Sequence, residues 1–221
     1  MNTIPVICLG ALCFIMAVAY TIFGQKGGWQ GLAVRGLAIV SCVALAQVSG
    51  SLKSLTNALP IFITIGLSVL ILGEALKVTN VANEKAQTIA SGVINSVGLI
   101  LISLGGLSLS EFNIFAILGG LLFGVGFGLI VCAIKKYKTK DKVFFEIFSF
   151  MSIGLILGFG LMAVISSTHN LSAICTLGGG LVLLFYKLML SLGKGGKIIT
   201  YIANALFIIG LTAITLSIYL Y

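Results

Sequence analysis

Residues 63–78 read ITIGLSVLILGEALKV, an apolar run that places a carboxylate, Glu74, near its end. A charged side chain inside a hydrocarbon layer costs roughly 2.5–3.5 kcal/mol on insertion scales, so it persists there with a partner, a water-filled cavity or a task. Lys187 stands in a second such run, and Gly66 precedes Glu74 at the same spacing by which Gly179 precedes Lys187. Arg35 is the sole arginine, and its planar five-donor guanidinium suits a phosphate head group as well as a topology anchor. Glu146 follows a lysine-rich stretch, where it is either a site carboxylate or a charge held by a helix N-terminus. Tyr186, Tyr201 and Asn204 add hydrogen-bonding groups that either line a cavity or serve interfacial packing. Glu74, Lys187 and Glu146 are the candidate catalytic residues, with Arg35, Tyr186, Tyr201 and Asn204 as candidate substrate-binding residues.

These groups must be positioned by membrane helices. The chain is 59% hydrophobic and 8% charged, with a mean hydropathy of +1.23, against roughly 25% charged residues in a soluble domain. About 20 apolar residues cross a bilayer as a helix, and polar breaks divide the chain into eight runs, near 4–24, 32–50, 58–78, 87–107, 112–134, 144–166, 172–192 and 198–220. Barrel strands would be shorter, about 10 residues with alternating polarity. The expectation is an all-α polytopic bundle forming a single transmembrane domain over 1–221. The first run lacks a basic leader and is read as a helix rather than a cleaved signal.

Net charge is +8, and most of it lies in short loops, the densest being Lys135, Lys136, Lys138, Lys140 and Lys142. The positive-inside rule accounts for this without a nucleic-acid partner. It places the lysine-rich loops in the cytoplasm and both termini outside, in what is expected to be a bacterial inner membrane. Glu74, Lys187, Arg35, Gln87, Ser91, Asn95, Glu146, Tyr201 and Asn204 then share one level. Two arrangements follow: Glu74 meets Lys187 or Arg35 inside the bundle, or each charge reaches the interface alone, with Lys77 as a local partner for Glu74.

Cys8, Cys13, Cys42, Cys132 and Cys175 lie scattered in apolar runs and read as small core residues. No cofactor or metal is expected. His169 sits in an outer loop remote from the charges. The chain has no G-x-S-x-G, H-E-x-x-H or Walker pattern, which argues against a serine hydrolase or zinc protease. Gly119, Gly120, Gly124, Gly126, Gly128, Gly154, Gly158 and Gly160 mark close helix packing. The Gly66–Glu74 and Gly179–Lys187 echo hints at two parallel four-helix halves.

The segments WQGLAVRGLA (29–38), GLSVLILGEAL (66–76), GGLVLLFYKLML (179–190) and YIANALFI (201–208) resemble the YhhN-type lysoplasmalogenase family of eight-span membrane proteins. Its Lys-Pro pattern falls at Arg35-Gly36, its Gly-Asp at Gly73-Glu74, its Ser-Asp at Tyr186-Lys187, and its Gln at Asn204 or Ala205. The second acid is thus inverted to a lysine, and residues 92–104 hold no counterpart of the family's His and Tyr. The resemblance implies cleavage of the vinyl ether bond of a lysophospholipid, chemistry that needs one group to protonate carbon and another to direct water. It implies Glu74 as the acid or base and Arg35 on the phosphate. The alternative is a related scaffold that binds or transports a lipid or small solute.

Overall fold

The computed structural model describes residues 3–23, 28–52, 58–76, 84–110, 113–137, 140–166, 170–193 and 196–221. Among these residues every regular element is a helix: α1 (Ile4–Phe23), α2 (Gly28–Leu52), α3 (Ala58–Leu76), α4 (Glu84–Gly105), α5 (Leu107–Ser110), α6 (Ile114–Lys135), α7 (Lys140–Ser166), α8 (Asn170–Leu192) and α9 (Lys197–Leu220). Eight of them, all but α5, are long and apolar enough to cross a membrane. In lipid the backbone must satisfy its own hydrogen bonds, and continuous helices do so. The chain is an integral membrane protein of the all-α class, close to the expected spans.

Local chemistry sets the ends. The Asn113 side chain accepts from the Phe115 amide at 2.9 Å and opens α6, and Lys136, with φ of 49°, closes it in the left-handed region. The single turn α5, absent from the sequence reading, sits between α4 and α6, with the Gly106 amide bonded to the Ser103 carbonyl.

Helices α2, α3, α4, α7, α8 and α9 pack in that order into a closed ring, α9 returning to α2. Helix α1 lies outside against α2 and α9, and α6 lies outside against α7. Successive spans run antiparallel, so the ends of α3, α6 and α8 and the starts of α2, α4, α7 and α9 share one end of the bundle. We call it the lysine-rich end, after Lys135, Lys140 and Lys142.

Glycine sets the separation of three helix pairs. A Cβ on Gly66 would sit 2.6 Å from the Gly98 carbonyl oxygen, one on Gly124 2.5 Å from that of Phe150, and one on Gly179 2.7 Å from that of Gly210. Backbone thus meets backbone at α3–α4, α6–α7 and α8–α9, the small-residue packing that substitutes for hydrophobic drive inside a bilayer. The expectation fails at Gly119 and Gly126, whose missing Cβ faces open space. They sit near Gly120, Gly124 and Gly128 on the helix, but no neighbouring atom lies within 4 Å of the Cβ position. The core between the ring helices is aliphatic, with Ile39, Leu45, Leu67, Leu70, Leu183 and Leu211 fully buried. Cys13, Cys42 and Cys132 are buried and Cys8 is exposed, all as free thiols.

Candidate functional site

The charged side chains of the ring meet at the lysine-rich end in two separate pairs. Glu74 lies in the last turn of α3, on the face that carries Gly66, Leu70 and Gly73 inward, and it is 2% exposed. Its Oε2 faces Nη1 of Arg35, from the third turn of α2, at 3.5 Å. The Asn95 amide of α4 donates to its Oε1 at 3.3 Å. The close approach of Asn95 requires Gly73, because a Cβ there would collide with the Asn95 Oδ1. Arg35 Nε donates to the Gly31 carbonyl at 3.1 Å, which fixes the plane of the guanidinium. The Gln87 amide donates to the Leu76 carbonyl and ties the start of α4 to the end of α3.

The second pair lies on α7 and α8. Lys187 Nζ stands 3.0 Å from Glu146 Oε2, and 5.8 Å from the centroid of the Phe150 ring. Glu146 is buried at the second turn of α7, and its Oε1 has no hydrogen-bond partner among the described residues. Buried carboxylate oxygens normally find donors, so this one is an unspent acceptor.

The geometry therefore corrects the sequence reading in two places. Lys187 meets Glu146 rather than Glu74, and Glu146 is a buried ion-pair partner rather than a charge held by a helix N-terminus alone. Of the two contacts expected for Glu74, the one with Arg35 forms. Lys77, the local partner considered for Glu74, and His169 lie outside the described residues.

Tyr186 is half-buried, with its ring centroid 4.9 Å from that of Phe207 on α9. Tyr201 and Asn204 are half-buried at the start of α9 and make no hydrogen bond among the described residues. Sequence reasoning missed Asn95 as a ligand of Glu74, although its polarity at the right depth in α4 was the signal. It also missed Tyr137, Asp141 and Ser149.

Those three belong to a half-enclosed cleft of about 550 Å³ at the lysine-rich end, lined by Ile89 and Gly92 of α4, by Tyr137, Asp141, Lys142, Phe145, Glu146 and Ser149, and by Lys187 of α8. Burial, and secondarily the Glu146 charge, raise the Tyr137 phenol above its ordinary pKa, so at neutral pH it is a hydrogen-bond donor. Ser149 approaches Ser96 of α4 at 3.3 Å and closes the cleft floor. The cleft combines cationic, anionic, aromatic and hydroxyl groups and opens beside apolar helix faces. That mixture can hold the polar head of an amphiphile or a small charged solute. A second cavity of about 300 Å³, towards the other end of the bundle, is apolar and lies between α6, α7 and α8, with Phe123, Leu161 and Met162 on its walls.

Among the described residues, no three His, Cys, Asp or Glu side chains gather closely enough to hold a metal ion. Comparison of the chain with protein-family models, with curated proteins and with solved structures finds no match.

Proposed function

We propose that the protein binds a polar-headed amphiphile, such as a lysophospholipid, or a small charged solute at the lysine-rich end, and that its work is binding or transport rather than bond cleavage. One observation supports this reading above the others: each intramembrane carboxylate holds its own cation, on a different seam of the ring. Vinyl ether hydrolysis asks one group to protonate carbon and another to direct water onto the same oxocarbenium centre. Glu74 is engaged by Arg35 and Asn95 between α2, α3 and α4, and Glu146 by Lys187 between α7 and α8. The cleft at Glu146 supplies recognition instead, with the second oxygen of Glu146 and the Tyr137 and Phe145 rings placed for a cationic or hydroxyl-bearing group.

Hydrolysis of a lyso-ether lipid is the second reading. Two observations favour it: the resemblance at Arg35 and Gly73-Glu74, and the unpartnered Glu146 Oε1, which is free to accept a proton from water. The lysine distribution favours a cytoplasmic position for the cleft. Purified protein incubated with a lysophospholipid carrying a vinyl ether chain separates the readings. Saturable binding without aldehyde release supports the first, and catalytic aldehyde release supports the second.

A further inference from the structure

The two halves of the ring repeat one another in the spacing of their buried positions. The buried positions Ile39, Cys42, Leu45 and Ala46 of α2 recur at the same spacing as Phe150, Ile153, Ile156 and Leu157 of α7. Ile63, Gly66, Leu67 and Leu70 of α3 recur as Thr176, Gly179, Gly180 and Leu183 of α8. Ser96, Leu99 and Ile102 of α4 recur as Ile208, Leu211 and Ile214 of α9. The outer helices match in the spacing of their buried positions, Cys13, Ala17 and Tyr20 of α1 against Gly124, Gly128 and Val131 of α6, but differ in packing, α1 lying on both α2 and α9 and α6 mainly on α7.

Contacts repeat with the pattern. A Cβ on Gly66 would meet the Gly98 oxygen at 2.6 Å and Ile102 Cγ1 at 2.6 Å; one on Gly179 would meet the Gly210 oxygen at 2.7 Å and Ile214 Cγ1 at 2.6 Å. In the other direction Gly98 faces Leu70 Cδ2 at 2.9 Å, and Gly210 faces Leu183 Cδ2 at 3.0 Å. The seams between the halves are also equivalent, α4 on α7 and α9 on α2. Helices α1–α4 and α6–α9 are thus parallel repeats about an axis along the bundle.

This correspondence puts Arg35 in the place of Glu146 and Glu74 in the place of Lys187, so the two ion pairs are equivalent with their charges exchanged. It also carries Ile89 and Gly92, the α4 wall of the Glu146 cleft, onto Tyr201 and Asn204 of α9, the helix that packs against α2 as α4 packs against α7. We propose that Arg35, Glu74, Tyr201 and Asn204 form a second binding site, the rotational mate of the Glu146–Lys187 cleft, and that the two have opposite charge preference: an alkylammonium cation at Glu146, an oxyanion at Arg35.

At the first site Lys187 occupies one oxygen of Glu146 and leaves Oε1 as a spare acceptor, with the Tyr137 and Phe145 rings beside it. At the second, Glu74 occupies Nη1 of Arg35 and the Gly31 carbonyl occupies Nε, which leaves Nη2 as a spare donor among the described residues. Tyr201 and Asn204 add two unspent donor groups where the first site has Ile89 and glycine. The halves differ at Asn95, whose counterpart is Phe207. There Glu74 gains a second donor and Lys187 gains none, which leaves the carboxylate saturated in one half and unsaturated in the other.

This inference rests on the binding reading above and divides it into two sites. The test is calorimetric titration of the purified protein with ethylammonium chloride and with inorganic phosphate, each at constant ionic strength. Each probe is expected to bind once, with neither competing against the other. Glu146→Gln should weaken ethylammonium at least tenfold and leave phosphate unchanged, and Arg35→Gln should do the reverse. Should Glu146→Gln not fold, the paired Glu146→Gln, Lys187→Met variant takes its place, and the competition experiment on the unaltered protein stands by itself. Competition between the probes, or loss of both probes in one folded variant, overturns the two-site arrangement. Binding of a lysophospholipid without binding of either probe would leave the broader reading intact and remove this one.

Discussion

Replacing Lys187 by methionine removes the donor at 3.0 Å from Glu146 and leaves a carboxylate with neither oxygen partnered by a described residue. Stranding a fully buried charge costs about 3–5 kcal/mol. The side chains here are 19% and 12% exposed, and water reaching them lowers the expected loss to about 2–3 kcal/mol. For a chain of this size each kcal/mol shifts the melting midpoint by about 2–4 °C, so Lys187→Met should melt roughly 4–12 °C below the unaltered protein. Adding Glu146→Gln removes the stranded charge and should recover most of that loss. Adding Glu74→Gln instead should recover nothing, since Glu74 pairs with Arg35 between α2 and α3 and not with Lys187. Thermal melts in one detergent, run as two double-mutant cycles, measure both couplings. A coupling for Lys187 with Glu74 as large as that with Glu146, or additive behaviour in both cycles, would refute the assignment of partners.

The remaining expectations are more local. Asn95→Ala should destabilise by about 1.5–3 kcal/mol, the range for a hydrogen bond to a charged group, and Asn95→Asp by more, because it sets two carboxylates 3.3 Å apart. Gly124→Ala should cost about 1–3 kcal/mol in the same melts by forcing α6 away from the Phe150 carbonyl, whereas Gly126→Ala, facing open space, should be neutral or slightly stabilising. Labelling of single cysteines placed at Lys142 and Asn170 should find the first accessible from the cytoplasm and the second from outside, as the lysine distribution requires. Labelling in the opposite sense would invert the orientation.

The spans were legible because length and apolarity alone decide them: the runs near 58–78, 172–192 and 198–220 lie within two residues of α3, α8 and α9 at each end. The common depth of Arg35, Glu74, Glu146 and Lys187 followed from alternating direction. Their pairing did not, since it depends on the rotation of each helix and on which helices adjoin. Sequence places spans two and six equally well beside span three. Only packing sets α7 against α8, and so Glu146 against Lys187. Glycine spacing likewise marked α6 as an interface but could not distinguish Gly120, pressed on Gly154, from Gly119 beside it. The repeat was half visible in Gly66–Glu74 and Gly179–Lys187. Exchange of charge between the halves hid the rest, because a search for like residues passes over Arg35 set against Glu146.

The reading of this protein as a binder turns on whether its carboxylates act singly or together, and lyso-ether lipid turnover decides it. Purified protein with a vinyl ether lysophospholipid should show saturable binding, weakened by Glu146→Gln, and aldehyde release no faster than in lipid without protein. Aldehyde release that the unaltered protein catalyses, and that Glu74→Gln and Glu146→Gln each abolish, would contradict it and join the two carboxylates in one active site.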